Sequence, residues 1–284
     1  MSADPMMPTG NVSFDAIRRE GYAYADKTGL LTGLCDEVGK SASSVHVYTR
    51  PTRFGKTLNL SMIERFFDVR YAGEPDVFDG LEISEHHEFD RLRNRLPVIR
   101  VDMRSIDPKD GESVHGSLHA LASMAYQEAA DKYGSEWMGR GTSRTFDRFI
   151  DNEITDAEAA DAVIRLSKRL YNELTAPDGS LLRMKPVILI DEYDAFLREM
   201  GKAPAEKSEE VSRILARFMT ASLKTNRDFS LGVVTGILRL SQTGMLSGLN
   251  NPIIHDVFDR ETGRFFGYTE EEAGKLVRGS VPAS

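Results

Sequence analysis

The chain has 284 residues, enough for one large α/β domain or two small ones, and with 40% of them hydrophobic and 28% charged a disordered or fibrous chain is excluded. Its 36 basic and 44 acidic residues give a net charge of -8, so nucleic acid is not indicated as a partner by charge, a local basic patch aside. The single cysteine, Cys35, rules out an intrachain disulfide and a cysteine-based zinc site, and points to a reducing, cytoplasmic compartment.

Residues 1–13 read as a flexible leader without the apolar core of a signal sequence. No apolar run reaches the roughly 18 residues that span a bilayer, so no membrane contact is expected. Segments 14–24 and 28–38 read as short helices. Residues 45–49 (VHVYT) alternate β-branched and aromatic types and read as a strand. After a loop at 50–55, segment 56–69 reads as a helix with Leu58, Met62, Phe66 and Val69 at helical spacing. A second strand is expected over 97–103 (PVIRVDM), helices over 116–132 and 156–174, and a turn at 176–179. Segment 185–191 (KPVILID) is a near-continuous apolar run ending in an acid, the pattern of a strand buried on both faces of a parallel sheet. A helix over 208–225 and a strand over 229–236 (FSLGVVTG) follow. Phe265-Phe266 reads as the start of a short last strand, and 269–278 as a helix with Thr269 as N-cap and Glu272 closing a capping box. Segments 139–145 and 201–207 read as surface loops, and 279–284 as a tail. The alternation predicts a three-layer α/β fold with a mainly parallel sheet over 14–278.

Two motifs carry chemistry. The first is Arg50-Pro-Thr-Arg-Phe-Gly-Lys-Thr57 between an expected strand and an expected helix. A phosphate loop needs that order, because backbone N–H groups at a helix start wrap phosphate and the helix dipole favours negative charge. Gly55 allows close backbone approach, Lys56 would reach the β- and γ-phosphates, and the Thr57 hydroxyl would ligate Mg²⁺. Arg50 stands where the usual first glycine would fall, so the tight turn must be made by other means, with Arg50 expected to structure the loop by pairing with an acid. The second motif is Asp191-Glu192 after the buried strand. Ligands sit outside the carboxyl ends of parallel strands, so Asp191 would hold Mg²⁺ and Glu192 would act as general base on the attacking water. An adjacent Asp-Glu pair and a strand lying between the two motifs favour the division of P-loop proteins that includes AAA+ and STAND ATPases. Thr235, at the end of the next strand, reads either as a γ-phosphate sensor or as a plain strand-end threonine.

Segments 50–67 (RPTRFGKTLNLSMIERFF), 187–196 (VILIDEYDAF), 233–251 (VVTGILRLSQTGMLSGLNN), 265–273 (FFGYTEEEA) and 21–28 (GYAYADKT) together resemble the predicted AAA-ATPase-like domain of bacteria and archaea. The resemblance runs from about residue 14 to about residue 277. It implies an AAA+/STAND-like P-loop NTPase fold, with a helical insertion between the phosphate loop and the acidic strand, and ATP with Mg²⁺ as the ligands. In the family the loop begins Arg-Pro-x-Arg-Phe-Gly-Lys, so Arg50 is a family trait. Many members continue into a PD-(D/E)XK nuclease-like domain; no stretch here supplies such a core, and a nuclease role is not expected.

Around this frame, Arg53, Phe54 and Leu58 belong to the expected cofactor-binding loop, Arg53 reading either as a phosphate contact or as a solvated arginine. Arg239 is the leading candidate for a sensor or finger arginine, with a salt-bridged surface role as the alternative; Arg260 and Arg264 are weaker candidates. Asp26 and Lys27, with Thr28, are placed either near the nucleotide or at a helix N-cap. Asp194 either pairs with a loop arginine or caps the next turn. Arg91, Arg93, Arg95, Arg100 and Arg104 read as a solvated face, and His86-His87 as a surface pair lacking a third metal ligand. Three functions fit: an Mg²⁺-dependent ATPase; a slow nucleotide switch with oligomerisation, in a homo-oligomer, as output; and a non-catalytic module of a defence or toxin-like system. The long tract 105–186 is a candidate surface for a partner protein.

Overall fold

A computed structural model describes residues 10, 12–40, 42–105, 114–134, 143–176, 179–195, 205–237 and 252–279. Its centre is a sheet of five parallel strands: β1 (Ser44–Thr49), β2 (Val98–Asp102), β3 (Val187–Asp191), β4 (Leu231–Gly236) and β5 (Ile253–His255), in the order β2-β3-β4-β1-β5. β4 therefore lies between the strand that feeds the phosphate loop and the strand that ends in the acidic pair. The added strand expected between the two motifs is thus β4, whereas the 97–103 strand forms the edge as β2.

Strand side chains alternate between faces, and each face buries its own core. On one face Val98, Val187, Leu189, Leu231 and Val233 pack with α1 (Phe14–Glu20), α2 (Gly29–Cys35), α3 (Lys56–Phe67) and the single turn α4 (Phe89–Leu92). On the other, Ile99, Val101, Ile188, Ile190 and Val234 pack with α5 (Val114–Tyr133), α6 (Ser143–Ile150), α7 (Asp156–Ala160), α8 (Ala162–Glu173) and α9 (Ala205–Met219). The expected three layers are present. What reads in sequence as an insertion is the second helical layer itself, without which that sheet face would stand bare.

Local chemistry sets the boundaries. Ser13 accepts a hydrogen bond from the Ala16 amide to start α1, and Gly21 ends it in the left-handed region at φ 71°. The helix expected over 156–174 breaks at Asp161, a residue type that favours caps over helix interiors, into α7 and α8. The helix expected over 208–225 ends as α9 at Met219 and continues as a π-helical turn, Thr220–Thr225. Phe265-Phe266 does not form a strand. Both lie in the segment that joins α10 (Arg260–Gly263) to α11 (Glu270–Gly279) and turn their rings into the core, and at the start of α11 Thr269 and Glu272 make the expected capping box. The last strand is β5, whose three residues are half exposed and carry no alternation strong enough to read. No described helix is long and apolar enough to cross a membrane.

Candidate functional site

β1, β3 and β4 end at the same edge of the sheet, with Thr49 in register with Gly236. The loop after β1 is shaped by two left-handed residues, Arg53 (φ 65°) and Gly55 (φ 77°), the latter capping α3. Arg50 replaces a glycine turn with anchoring. Its amide donates to the Gly236 carbonyl at 3.0 Å, and its guanidinium donates to the carbonyls of Thr49 (2.9 Å) and His255 (2.6 Å) and to the Thr262 hydroxyl (3.0 Å). The guanidinium also lies 4.7 Å from the Phe266 ring centre. Arg50 is thus held by carbonyls, a hydroxyl and an aromatic face, where an acid was expected. The Phe54 carbonyl accepts from the Gly267 amide at 3.0 Å, tying the loop to the entry of α11.

Lys56, nearly fully buried, donates to the carbonyls of Arg50 and Pro51, both at 3.1 Å, and lies 3.2 Å from Glu192 Oε1. Thr57 Oγ1 donates to Asp191 Oδ2 at 2.9 Å, and Thr235 Oγ1 donates to Asp191 Oδ1 at 2.6 Å. Asp191 is fully buried, and each of its oxygens accepts a hydroxyl. Glu192 leaves β3 in the left-handed region, φ 51°, which costs a side-chain-bearing residue on the order of 1–3 kcal/mol. The ends of β3 and β4 are stitched together: the Tyr193 amide donates to the Thr235 carbonyl at 3.0 Å, and the Asp194 carboxylate accepts from the Ile237 amide. Asp194 therefore bonds across to the end of β4.

A cavity of about 670 Å³ opens over this cluster. Its walls include Arg53, Gly55, Lys56, Thr57, Leu58 and Glu192, with Val12, Ser13 and Ile17 from the N-terminal segment. Part of the expected flexible leader is therefore a wall of the site.

A family model described as predicted AAA-ATPase matches residues 8–246. The chain belongs to the AAA-ATPase-like family. That family membership places it among P-loop NTPases, with nucleotide binding as the shared property. No curated protein matches the chain. The matched span of the AAA-ATPase-like domain stops before β5, α10 and α11, yet β5 pairs with β1 in the same sheet.

The remaining expected residues fall elsewhere. Asp26 does not line the cavity; its carboxylate accepts from Thr28 and from the Glu82 amide. Lys27 bonds Glu272 and the Arg264 carbonyl, tying α2 to α11. Arg260 lines a second cavity of about 530 Å³ beside His46, Tyr48 and His255, and Arg264 stacks 4.6 Å from the Phe265 ring centre. Arg239 lies outside the described residues. His86 and His87 do meet a third group, Asp36, with donor atoms of all three within 4.8 Å of one another. Sequence reasoning missed Arg100 and Arg104. Both line the main cavity and stand 3.8 and 3.7 Å from Asp191 Oδ2. The one available signal was position: they flank the end of the strand that precedes the acidic strand. Burial alone would raise the Asp102 carboxyl, but the hydrogen bonds from Arg104 together with the positive charges of Arg104 and Arg100 outweigh burial and hold it below the usual range.

Proposed function

We propose that the chain is an Mg²⁺-dependent ATPase. The observation that carries this reading is the convergence of Lys56, Thr57, Asp191, Glu192 and Thr235 under one cavity at the carboxyl ends of three parallel strands. The Thr57 hydroxyl and the Asp191 carboxylate are hard oxygen donors of the kind magnesium takes, so the residues present fit the ion and would hold it. Magnesium, when bound, supplies charge neutralisation on the phosphate oxygens.

The chain's own residues would do the rest. Lys56 and the amides at the start of α3 hold the β- and γ-phosphates. Glu192 accepts a proton from water as the water oxygen attacks the γ-phosphorus. The bond from that phosphorus to the β–γ bridging oxygen breaks, and ADP and inorganic phosphate leave. Thr235, hydrogen-bonded to Asp191, couples the end of β4 to the terminal phosphate. A second reading, a slow nucleotide switch, draws on one contact: Glu192 lies 3.2 Å from Lys56, and a base paired with that ammonium must let go before it can take a proton from water.

Calorimetry with ATP and Mg²⁺, on wild type and Lys56→Ala, tests binding; phosphate release by wild type and Glu192→Gln tests hydrolysis. Expected are clear wild-type binding that Lys56→Ala removes, and a Glu192→Gln variant that still binds but turns over at least ~100-fold more slowly. Equal turnover by wild type and Glu192→Gln would exclude Glu192 as the base and favour the switch.

A further inference from the structure

Among the described residues, four cations, Arg53, Lys56, Arg100 and Arg104, and one carboxylate, Glu192, line the main cavity, in a chain whose net charge is -8. That local excess marks an anion site. The proposed ATPase chemistry uses Lys56 but leaves Arg100 on β2 and Arg104 just after it without a role. β2 runs beside β3 with Asp102 in register with Asp191, so its carboxyl end opens onto the same edge as the acidic pair.

The two arginines are held differently. Arg100 is anchored: its Nη1 donates to Glu64 at 3.0 Å, and Glu64 in turn bonds Lys132 and Arg70 in a buried cluster. Arg104 sits on the short 3-10 turn after β2 (Met103–Ser105), with its side chain 43% exposed. Its Nε and Nη2 donate to the Asp102 carboxylate, at 3.0 and 2.6 Å, which aims the guanidinium. Its Nη2 also stands 3.7 Å from Asp191 Oδ2, close but beyond hydrogen-bond length, while Thr57 and Thr235 occupy the Asp191 oxygens. A planar guanidinium fixed at one edge by a carboxylate and open along its other edge suits two oxygens of a phosphate.

We propose that Arg104, aimed by Asp102, binds the terminal phosphate of a nucleoside triphosphate from within the same chain. The inference rests on the ATPase reading and adds a residue that distinguishes triphosphate from diphosphate. Arg104 then acts as an internal counterpart of an arginine finger, with no second subunit needed to supply it. Arg100 is the fixed charge beside it.

The test is calorimetry on the full chain with Mg²⁺, using ADP and a non-hydrolysable β,γ-imido analogue of ATP as probes. Wild type, Arg104→Ala, Arg104→Lys and Lys56→Ala are compared, each checked for an unchanged melting curve. Arg104→Ala is expected to weaken the triphosphate analogue ~10- to 100-fold, the worth of a charge-assisted hydrogen-bond pair, while ADP stays within about twofold. Arg104→Lys should recover part of the loss, because it restores the charge without the fork, and it serves as the folded comparison if the alanine variant melts early. An equal loss for both nucleotides, or no loss, overturns the assignment. Wild-type binding abolished by Lys56→Ala alongside an unaffected Arg104→Ala overturns this inference alone and leaves the nucleotide site standing. A wild type that binds neither probe overturns both.

Discussion

Gly55 and Gly236 show how one residue type serves two ends. Gly55 caps α3 at φ 77°, and a Cβ built there meets nothing within 4 Å. The open space is the cavity itself. Gly55→Ala should therefore cost only ~1–2 kcal/mol of backbone strain, yet place a methyl group where, on the proposed reading, backbone amides would face phosphate. The expected result is a melting point lowered by a few degrees and ATP affinity lowered at least tenfold; calorimetry that finds unchanged affinity would remove the loop from the binding site. A Cβ at Gly236 would collide with the Tyr193 ring, so that glycine is fixed by packing between the ends of β3 and β4. That Lys56, Thr57, Asp191 and Glu192 meet at one edge of the sheet was legible in sequence, because a loop between a strand and a helix and an acid ending a buried strand each have a fixed local order. Arg100 and Arg104 were not. Glu64, which holds Arg100, lies 36 residues away along the chain, and Asp191, which both arginines approach, roughly ninety; the near partner of Arg104, Asp102, would pair with it equally well on a solvated face, so nothing local to β2 tells a solvated arginine from one facing a cavity.

At the scale of elements, the junction between α3 and α5 is a buried ionic cluster. Glu64 and Asp68 at the end of α3 meet Lys132 and Tyr133 at the end of α5, and Arg100 links Glu64 toward Asp191. Asp68 is fully buried. Burial pushes its carboxyl up to about 6, outweighing the attraction of Lys132 and Arg70, and its Oδ2 accepts no hydrogen bond. An acid whose folded pKa lies above its unfolded value of 3.8 favours the fold below that value and loses that contribution as pH rises through about 6. Wild type should therefore lose stability relative to Asp68→Asn between about pH 4 and about pH 6, by ~3 kcal/mol in all. Urea unfolding of the pair across pH 4–8 reads the gap. A gap that does not change with pH would mean that Lys132 and Arg70 hold the carboxylate charged throughout. The elements themselves were legible where burial imposed a period. β3 read clearly because both its faces are buried, and α3 because its apolar residues recur every three or four positions. β5 escaped because three half-exposed residues carry no period, and Phe265-Phe266 misled because two adjacent aromatics signal burial without saying in which element.

Over the whole molecule, the order β2-β3-β4-β1-β5 turns distant segments into neighbours. Thr57 and Asp191 are 134 residues apart in sequence and 2.9 Å apart in space, and Asp191 also bonds Thr235 from β4. The layered fold followed from alternating strands and helices, but the position of β4 between β1 and β3 came from long-range pairing that spacing does not encode. The same topology predicts how ligand binding should act on stability. A nucleotide held by the loop after β1 and the ends of β3 and β4 bridges segments that unfolding must separate, so it should stabilise the whole sheet and not one loop. At a free ligand concentration about a hundred times Kd, the gain is ~2.7 kcal/mol, which for a chain of this size raises the melting point by several degrees. Thermal melts with Mg²⁺ and ATP should show one transition, displaced upward in step with ligand concentration, and no displacement in Lys56→Ala. A calorimetric binding signal without any shift in the melt would place the ligand on a part of the chain that opens independently of the sheet, and so away from the Lys56–Asp191–Thr235 cluster.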